Sequence, residues 1–191
     1  MKIERMTEIE TSDIEVGDRI HVAHYTATCQ EITPKGALFL MDQYLDKRMP
    51  MNKKNTNKGG YAKSDLRRAL QSVDVLKLFS GIREWMVPFD NGDLLRIPFA
   101  GEMFGDEVPQ WIEFDSNEQW PLMTDAHNRT ASSCGDPEWG WLANTFRDTS
   151  TYFCIVHDRG YAGAWAASGV VGVRPVFMIA TFREEAETCH S

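Results

Sequence analysis

A single helical period dominates this sequence. Over residues 64–79 the apolar side chains Leu66, Leu70, Val73 and Leu76 recur every three or four positions, which places them on one face of a helix. Ser64 suits the N-cap, because its hydroxyl can accept from a free first-turn amide. Asp65 follows at the positive end of the helix dipole, and Gly81 supplies a stop. The rest of the chain reads as short apolar runs broken by Gly, Pro and Asn. One main helix among short strands and long loops predicts an α+β fold, a single compact domain whose mixed or antiparallel sheet is crossed by that helix.

The strands are legible as apolar runs between turn signals. Ile20, Val22 and Tyr25 lie near strand spacing after a turn at Gly17-Asp18. Residues 36–41 form a continuous apolar run after Pro34-Lys35 and read as a buried strand. Residues 94–98, 152–156 and 173–179 read as further strands, the last one central in the sheet. Asn91-Gly92 marks a tight turn, residues 82–87 a further turn, and residues 100–104 a single helical turn before Gly105. Residues 51–61 are almost free of apolar side chains, so Lys53, Lys54 and Lys58 are expected on an exposed, mobile loop open to phosphates or an acidic partner. Residues 105–138, rich in acids, Pro and aromatics, are expected to be a long irregular connection, the kind of segment that often carries function. The domain is drawn over residues 1–182, with 183–191 as a polar tail.

Charge is segregated along the chain, which carries a net −8. Residues 47–68 hold eight bases against Asp65, and residues 84–138 hold twelve acids against Arg96 and Arg129. Such a balance disfavours direct nucleic-acid binding and suits a protein partner of opposite sign. No run approaches the ~20 apolar residues of a membrane span, so no membrane association is expected. The first residues, MKIERMTEIETSDIEVGD, lack the apolar core of a signal peptide. With Cys29, Cys134, Cys154 and Cys189 widely spaced, the expectation is a cytoplasmic protein with reduced thiols.

Four segments in order resemble a bacterial and phage family of unknown function, widespread in Firmicutes and their phages. They are GGYAKSDLRRAL (59–70), IPFAGEMFG (97–105), EWGWLANTF (138–146) and GVVGVRPVFMIA (169–180). The resemblance spans residues 59–180 and implies a compact α+β domain. Its layout is similar to C-type-lectin-like and formylglycine-enzyme-like folds. Two departures stand out. The family's Arg-Ser-Pro after the Trp motif is Ala143-Asn144-Thr145 here, and the Ser of its Pro-Ser element is Phe99. The 105–138 segment is also longer and more acidic than the family's.

Chemistry-bearing residues are few. Arg174, between Val173 and Pro175 on an apolar segment, is expected to be an internal guanidinium tying loops together. His127, Cys134, Cys154 and His157 are zinc-capable types at spacings that match no ribbon or finger, and His21 and His24 would face opposite sides of a strand. No metal and no cofactor is expected. A redox pair of Cys154 and Cys189 would need thiols that are neither buried nor in a tail. Ser132 and Ser133 with His127 and Asp125 have the types of a triad without a nucleophile elbow. The expected function is therefore non-catalytic: a phage- or prophage-type protein that binds a protein partner through acidic, Trp-rich loops. The expected binding residues are Trp111, Trp120, Trp139, Trp141, Glu113, Asp115 and Glu118. The alternatives are an anti-defence, anti-CRISPR-like inhibitor of a host nucleic-acid machine, and an enzyme of unknown class.

Overall fold

The computed structural model describes residues 11–181. The expected tail at 183–191, with Cys189, lies outside the described residues. Ten strands and four short helices are ordered β1 (Arg19–Val22), β2 (Tyr25–Thr33), β3 (Gly36–Met41), β4 (Met49–Pro50), α1 (Asp65–Leu70), α2 (Val73–Leu76), β5 (Met86–Val87), α3 (Ala100–Phe104), α4 (Ala126–Arg129), β6 (Gly140–Thr145), β7 (Tyr152–Val156), β8 (Ala162–Ala166), β9 (Val170–Val171) and β10 (Val176–Ile179). The architecture is α+β. A curled antiparallel sheet runs β1-β2-β3-β10-β5, a second antiparallel sheet runs β6-β7-β8, and β4 pairs with β9.

Strand β3 explains why its sequence is apolar without alternation. All six of its residues are buried. Ala37, Phe39 and Met41 join one core with Leu66, Phe79 and Phe153, while Leu38 and Leu40 join a second core with Met103, Phe104 and Trp120. Strand β7 divides the same way, sending Phe153 and Ile155 to the first core and Cys154 and Val156 to the second. Side chains alternate across a strand, so a strand between two cores is apolar at every position.

The helix begins as its sequence indicates and then departs from it. The Ser64 hydroxyl accepts from the Arg67 amide at 3.0 Å. After Leu70 the helix breaks, because the Gln71 side chain accepts from the Leu94 amide (2.9 Å) and donates to the Leu95 carbonyl (2.7 Å). Ser72 is extended and starts α2 in a new phase. Val73, expected on the buried face, is 82% exposed in consequence.

The strands also differ from expectation in three places. The segment of Ile20, Val22 and Tyr25 is split by a two-residue hairpin at Ala23-His24, where Ala23 adopts φ +55°. Residues 94–98 make one bridge to the main sheet, Arg96 with Val176, because β5 holds the same edge of β10 further along. The late strand begins only at Val176, since Pro175 has no amide to donate, and it lies between β3 and β5. Lys53, Lys54 and Lys58 are exposed, but their loop is tied down rather than loose. Asn52 donates to the Thr56 carbonyl (2.6 Å) and Asn57 to the Thr149 carbonyl (2.7 Å).

Tyr44 joins the pieces. Its buried ring lies against Gly140 and Gly172, which bridge each other, and its hydroxyl donates to the Glu138 carbonyl. A Cβ on Gly172 would stand 2.5 Å from the Tyr44 ring, and one on Gly140 2.3 Å from its hydroxyl. Gly172→Ala is therefore expected to lower stability by about 1–3 kcal/mol through overpacking. Urea denaturation should show an earlier midpoint with an unchanged slope.

Candidate functional site

The 105–138 connection is irregular as its composition suggests, yet one part of it is tightly held. Residues 111–113 run along the end of β6. The Glu113 amide donates to the Thr145 carbonyl and the Arg147 amide to the Trp111 carbonyl, both at 2.9 Å. Asn144, 6% exposed, is the hub. Its amide oxygen accepts from the Ala100 amide (2.7 Å), and its amide nitrogen donates to the Glu113 carbonyl (2.9 Å) and the Asp115 carboxylate (2.7 Å). Asp115 also accepts from the amides of Gly101 and Asn117, each at 3.0 Å. The approach to α3 is so close that a Cβ on Gly101 would stand 2.4 Å from Asp115. Glu113 accepts from the Thr145 hydroxyl.

This bracing leaves one large side chain outside. Phe114 is 76% exposed, between Glu113, whose carboxylate accepts from the Thr145 hydroxyl, and Asp115, whose carboxylate holds the backbone amides of Gly101 and Asn117. Three hollows meet at it. One is a cleft of about 650 Å³ shared with Tyr61, Phe89 and Phe99, and one of about 410 Å³ includes Glu118. A third, of about 480 Å³, includes Asn57 and Phe146.

The wall of the 650 Å³ cleft is built around Arg96. Its guanidinium donates to both oxygens of Glu102 (2.8 and 2.5 Å) and lies 5.0 and 5.3 Å from the ring centres of Phe89 and Phe99, a cation–π arrangement. Arg67 is likewise paired with Asp93. The cleft's two cations are thus neutralised by these pairs, whereas Glu31, Glu113 and Asp115 have no cationic partner among the described residues. The cleft is apolar in floor and negative in charge. The buried Tyr61 hydroxyl beside it has no partner among the described residues.

Of the seven expected binding residues, Glu113, Asp115 and Glu118 lie on this ridge. Two of the tryptophans do not belong to any surface. Trp120 and Trp141 are each 1% exposed, with indole nitrogens donating to Glu31 (3.2 Å) and to the Met49 carbonyl (2.8 Å). Trp111 is half-buried, stacked on Phe146, and Trp139 is half-buried against His157 and Trp165. An indole with a satisfied N–H buries more apolar area than any other side chain, so packing claims it. Sequence reasoning missed Phe114 and Asn144. A lone Phe between two acids in a polar run was the available signal for the first.

The other candidates disperse. Among the described residues no three His, Cys, Asp or Glu side chains gather as a metal cluster. Cys154 is buried, which raises its thiol far above its ordinary value, and burial pushes Cys29 up to about 11. Asp125 caps α4 by accepting from the His127 amide (2.9 Å), Ser133 donates to Glu138 (3.0 Å) and Ser132 accepts from the Gly135 amide (3.3 Å); among the described residues neither serine bonds His127. His24 pairs with Asp46. Among the described residues no helix is long and apolar enough to cross a membrane. Arg174 is 7% exposed and donates to the carbonyls of Met41 (2.6 Å), Asn128 (3.1 Å) and Arg129 (3.4 Å). No family model, curated protein or solved structure matches the chain.

Two outcomes are expected. Asn144→Ala strands the Ala100 amide and the Glu113 carbonyl, at about 1–3 kcal/mol. Hydrogen exchange should rise at residues 113–117 while β3 stays protected. Arg174→Ala should cost a similar 1–3 kcal/mol by orphaning three carbonyls, read as a lower melting temperature.

Proposed function

We propose that the chain is a non-catalytic binding protein of phage or prophage type, on a C-type-lectin-like scaffold, that grips a protein partner with the 113–118 ridge. The observation that carries this reading is Phe114, fully presented on a backbone pinned by Asn144 and Asp115. Aromatic anchors dominate binding energy, and a loop already ordered loses little entropy on docking. Binding is favoured over catalysis because the carboxylates here are engaged as structural acceptors: Asp115 and Glu102 hold backbone amides, and Glu31 holds an indole. The four family-like segments over 59–180 support the phage-type scaffold.

The ridge and cleft suit a partner segment with Lys or Arg beside an apolar residue. The apolar part meets Phe114 and Phe89, and the cation meets Glu31 and Glu113. An anti-defence role would be the same docking aimed at a basic channel built for phosphates.

Selection from a random-peptide display library tests the proposal. Peptides pairing a basic with an apolar residue should be enriched on the wild type. Phe114→Ala should weaken them by about tenfold, the loss of a modest hot spot. Rising salt should weaken them further by screening. No enrichment, or enrichment indifferent to Phe114→Ala, would reject the ridge as the binding surface.

A further inference from the structure

Strand β8 lies at the far edge of its sheet from the ridge, and that edge is open. The ladder with β7 fixes which of its groups face outward. The His157 amide donates to the Tyr161 carbonyl (2.8 Å), and the Ala167 amide to the Thr151 carbonyl (2.7 Å). Bonded and non-bonded pairs alternate along an antiparallel ladder. Gly163 and Trp165 therefore bond β7, while the amides and carbonyls of Ala162, Ala164 and Ala166 point away from the sheet. Of these outward groups, among the described residues, only the Ala166 carbonyl has a partner, the Gly169 amide (2.8 Å).

The other sheet edges are closed or protected. Along β6, the Trp141 amide donates to the Gly172 carbonyl (3.1 Å), the Ala143 amide to the Pro98 carbonyl (2.9 Å), and the Thr145 carbonyl accepts from the Glu113 amide (2.9 Å). Strand β1 carries the exposed Arg19 and His21, and β5 is only two residues long. Charge and shortness are the usual safeguards of an edge. β8 is five residues long and has no charge: residues 160–173 hold no charged side chain, in a chain of net −8. Apolar surface gathers there too. Of the eight large apolar side chains exposed among the described residues, four lie on β8 or within a few residues of it in the fold: Tyr152, Tyr161, Trp165 and Val170.

The edge is complementary to itself. Antiparallel pairing centred on Ala164 sets that residue opposite its own copy, and Ala162 opposite Ala166, so each outward amide meets an outward carbonyl. On one face only alanines meet, which lets the strands approach. On the other, Trp165 stands opposite Gly163 of the second copy and Tyr161 opposite Ala167, so large rings cover positions with little or no side chain. Charge favours the same occupant. A second chain of net −8 is repelled by the acidic ridge but not by an uncharged strand, and a strongly charged partner finds no counter-charge here. At about 150–250 Å² for a whole aromatic side chain, the exposed parts of the four side chains and the strand edge come to roughly 500 Å² per copy, or about 1,000 Å² in all, near the lower limit of a specific interface.

We infer that β8 pairs with β8 of a second copy of this chain, about a two-fold axis at Ala164. Each copy has one such edge, so the assembly closes at two. Sedimentation velocity of the full chain over a dilution series, with amide exchange read by NMR at each concentration, tests this. A dimer with a dissociation constant of about 10–100 μM is expected for so small an interface. The Ala162 and Ala164 amides should become protected as it forms. Tyr161→Glu, at a position 65% exposed, should weaken the dimer by at least about tenfold. Ala164→Pro removes an outward amide that no bond within the chain uses, and should do the same. Should Ala164→Pro not fold, Tyr161→Glu is read alone. A monomer at every concentration up to about 1 mM would overturn the inference. So would growth beyond a dimer, a dimer unchanged in the folded variants, or one that leaves the Ala162 and Ala164 amides unprotected. Protection of those amides in a monomer at every dilution would assign the edge to another part of the same chain, and would equally overturn it.

Discussion

Strand β3 has no face for water, and the rest of the molecule is arranged around that constraint. Its odd-numbered residues belong to one core and its even-numbered residues to the other. Its two edges are held by β2 and β10. A slip of one residue would exchange the two sets of side chains, pushing Phe39 into the space built for Leu38 and Leu40. Such a strand has one tolerable register, and β10, paired to it residue by residue from Val176 to Ile179, inherits that register. The second sheet repeats the device in β7. Strands β3 and β7, short as they are, are buried on both faces.

The same economy governs the long acidic connection. Residues 105–138 hold little regular structure, and a loop of that length would lose much entropy on ordering. Single buried polar side chains do the ordering. Asn144 satisfies three partners at once, Asp115 ties the ridge to α3, and Arg129 donates to the Met123 carbonyl and to Glu107. A buried polar group is tolerated only when its bonds are complete, so each of these positions ties a stretch of loop to one geometry. What projects from that geometry, Phe114 above all, is held in place by the buried Asn144 and the half-buried Asp115.

Charge follows a similar division between committed and available groups. Arg67, Arg96 and Arg129 each meet a carboxylate, which accounts for part of the acidity of residues 84–138. Exposed pairs of this kind add little stability, whereas the half-buried forks of Arg67 and Arg96 fix orientation as well as charge. Arg174 is the exception, satisfied by carbonyls drawn from two distant segments, and it joins the start of the last strand to α4. The ridge, by contrast, offers an apolar anchor amid negative charge.

Features that depend on a few neighbouring residues were legible in the sequence alone. The Ser64 cap, the buried run of β3, the Asn91-Gly92 turn and the single turn of α3 are all local, and each formed where the residue pattern placed it. The acidity of the 105–138 segment and the membership of Glu113 and Asp115 in an exposed polar stretch were equally local. The tertiary structure decided what depends on distant partners. Gln71 broke the helix because Leu94 and Leu95 lay within its reach, and that turned Val73 outward. Trp120 and Trp141 went inside because Glu31 and Met49, some 90 positions away, accept their indole hydrogens. Phe114 stayed outside because Asn144 holds the Glu113 carbonyl on one side of it and the Asp115 carboxylate on the other. Composition can say that a chain has aromatic side chains to spare for binding. Which of them is spared is settled by the competition for core space and hydrogen-bond partners, and that competition exists only once the chain has folded.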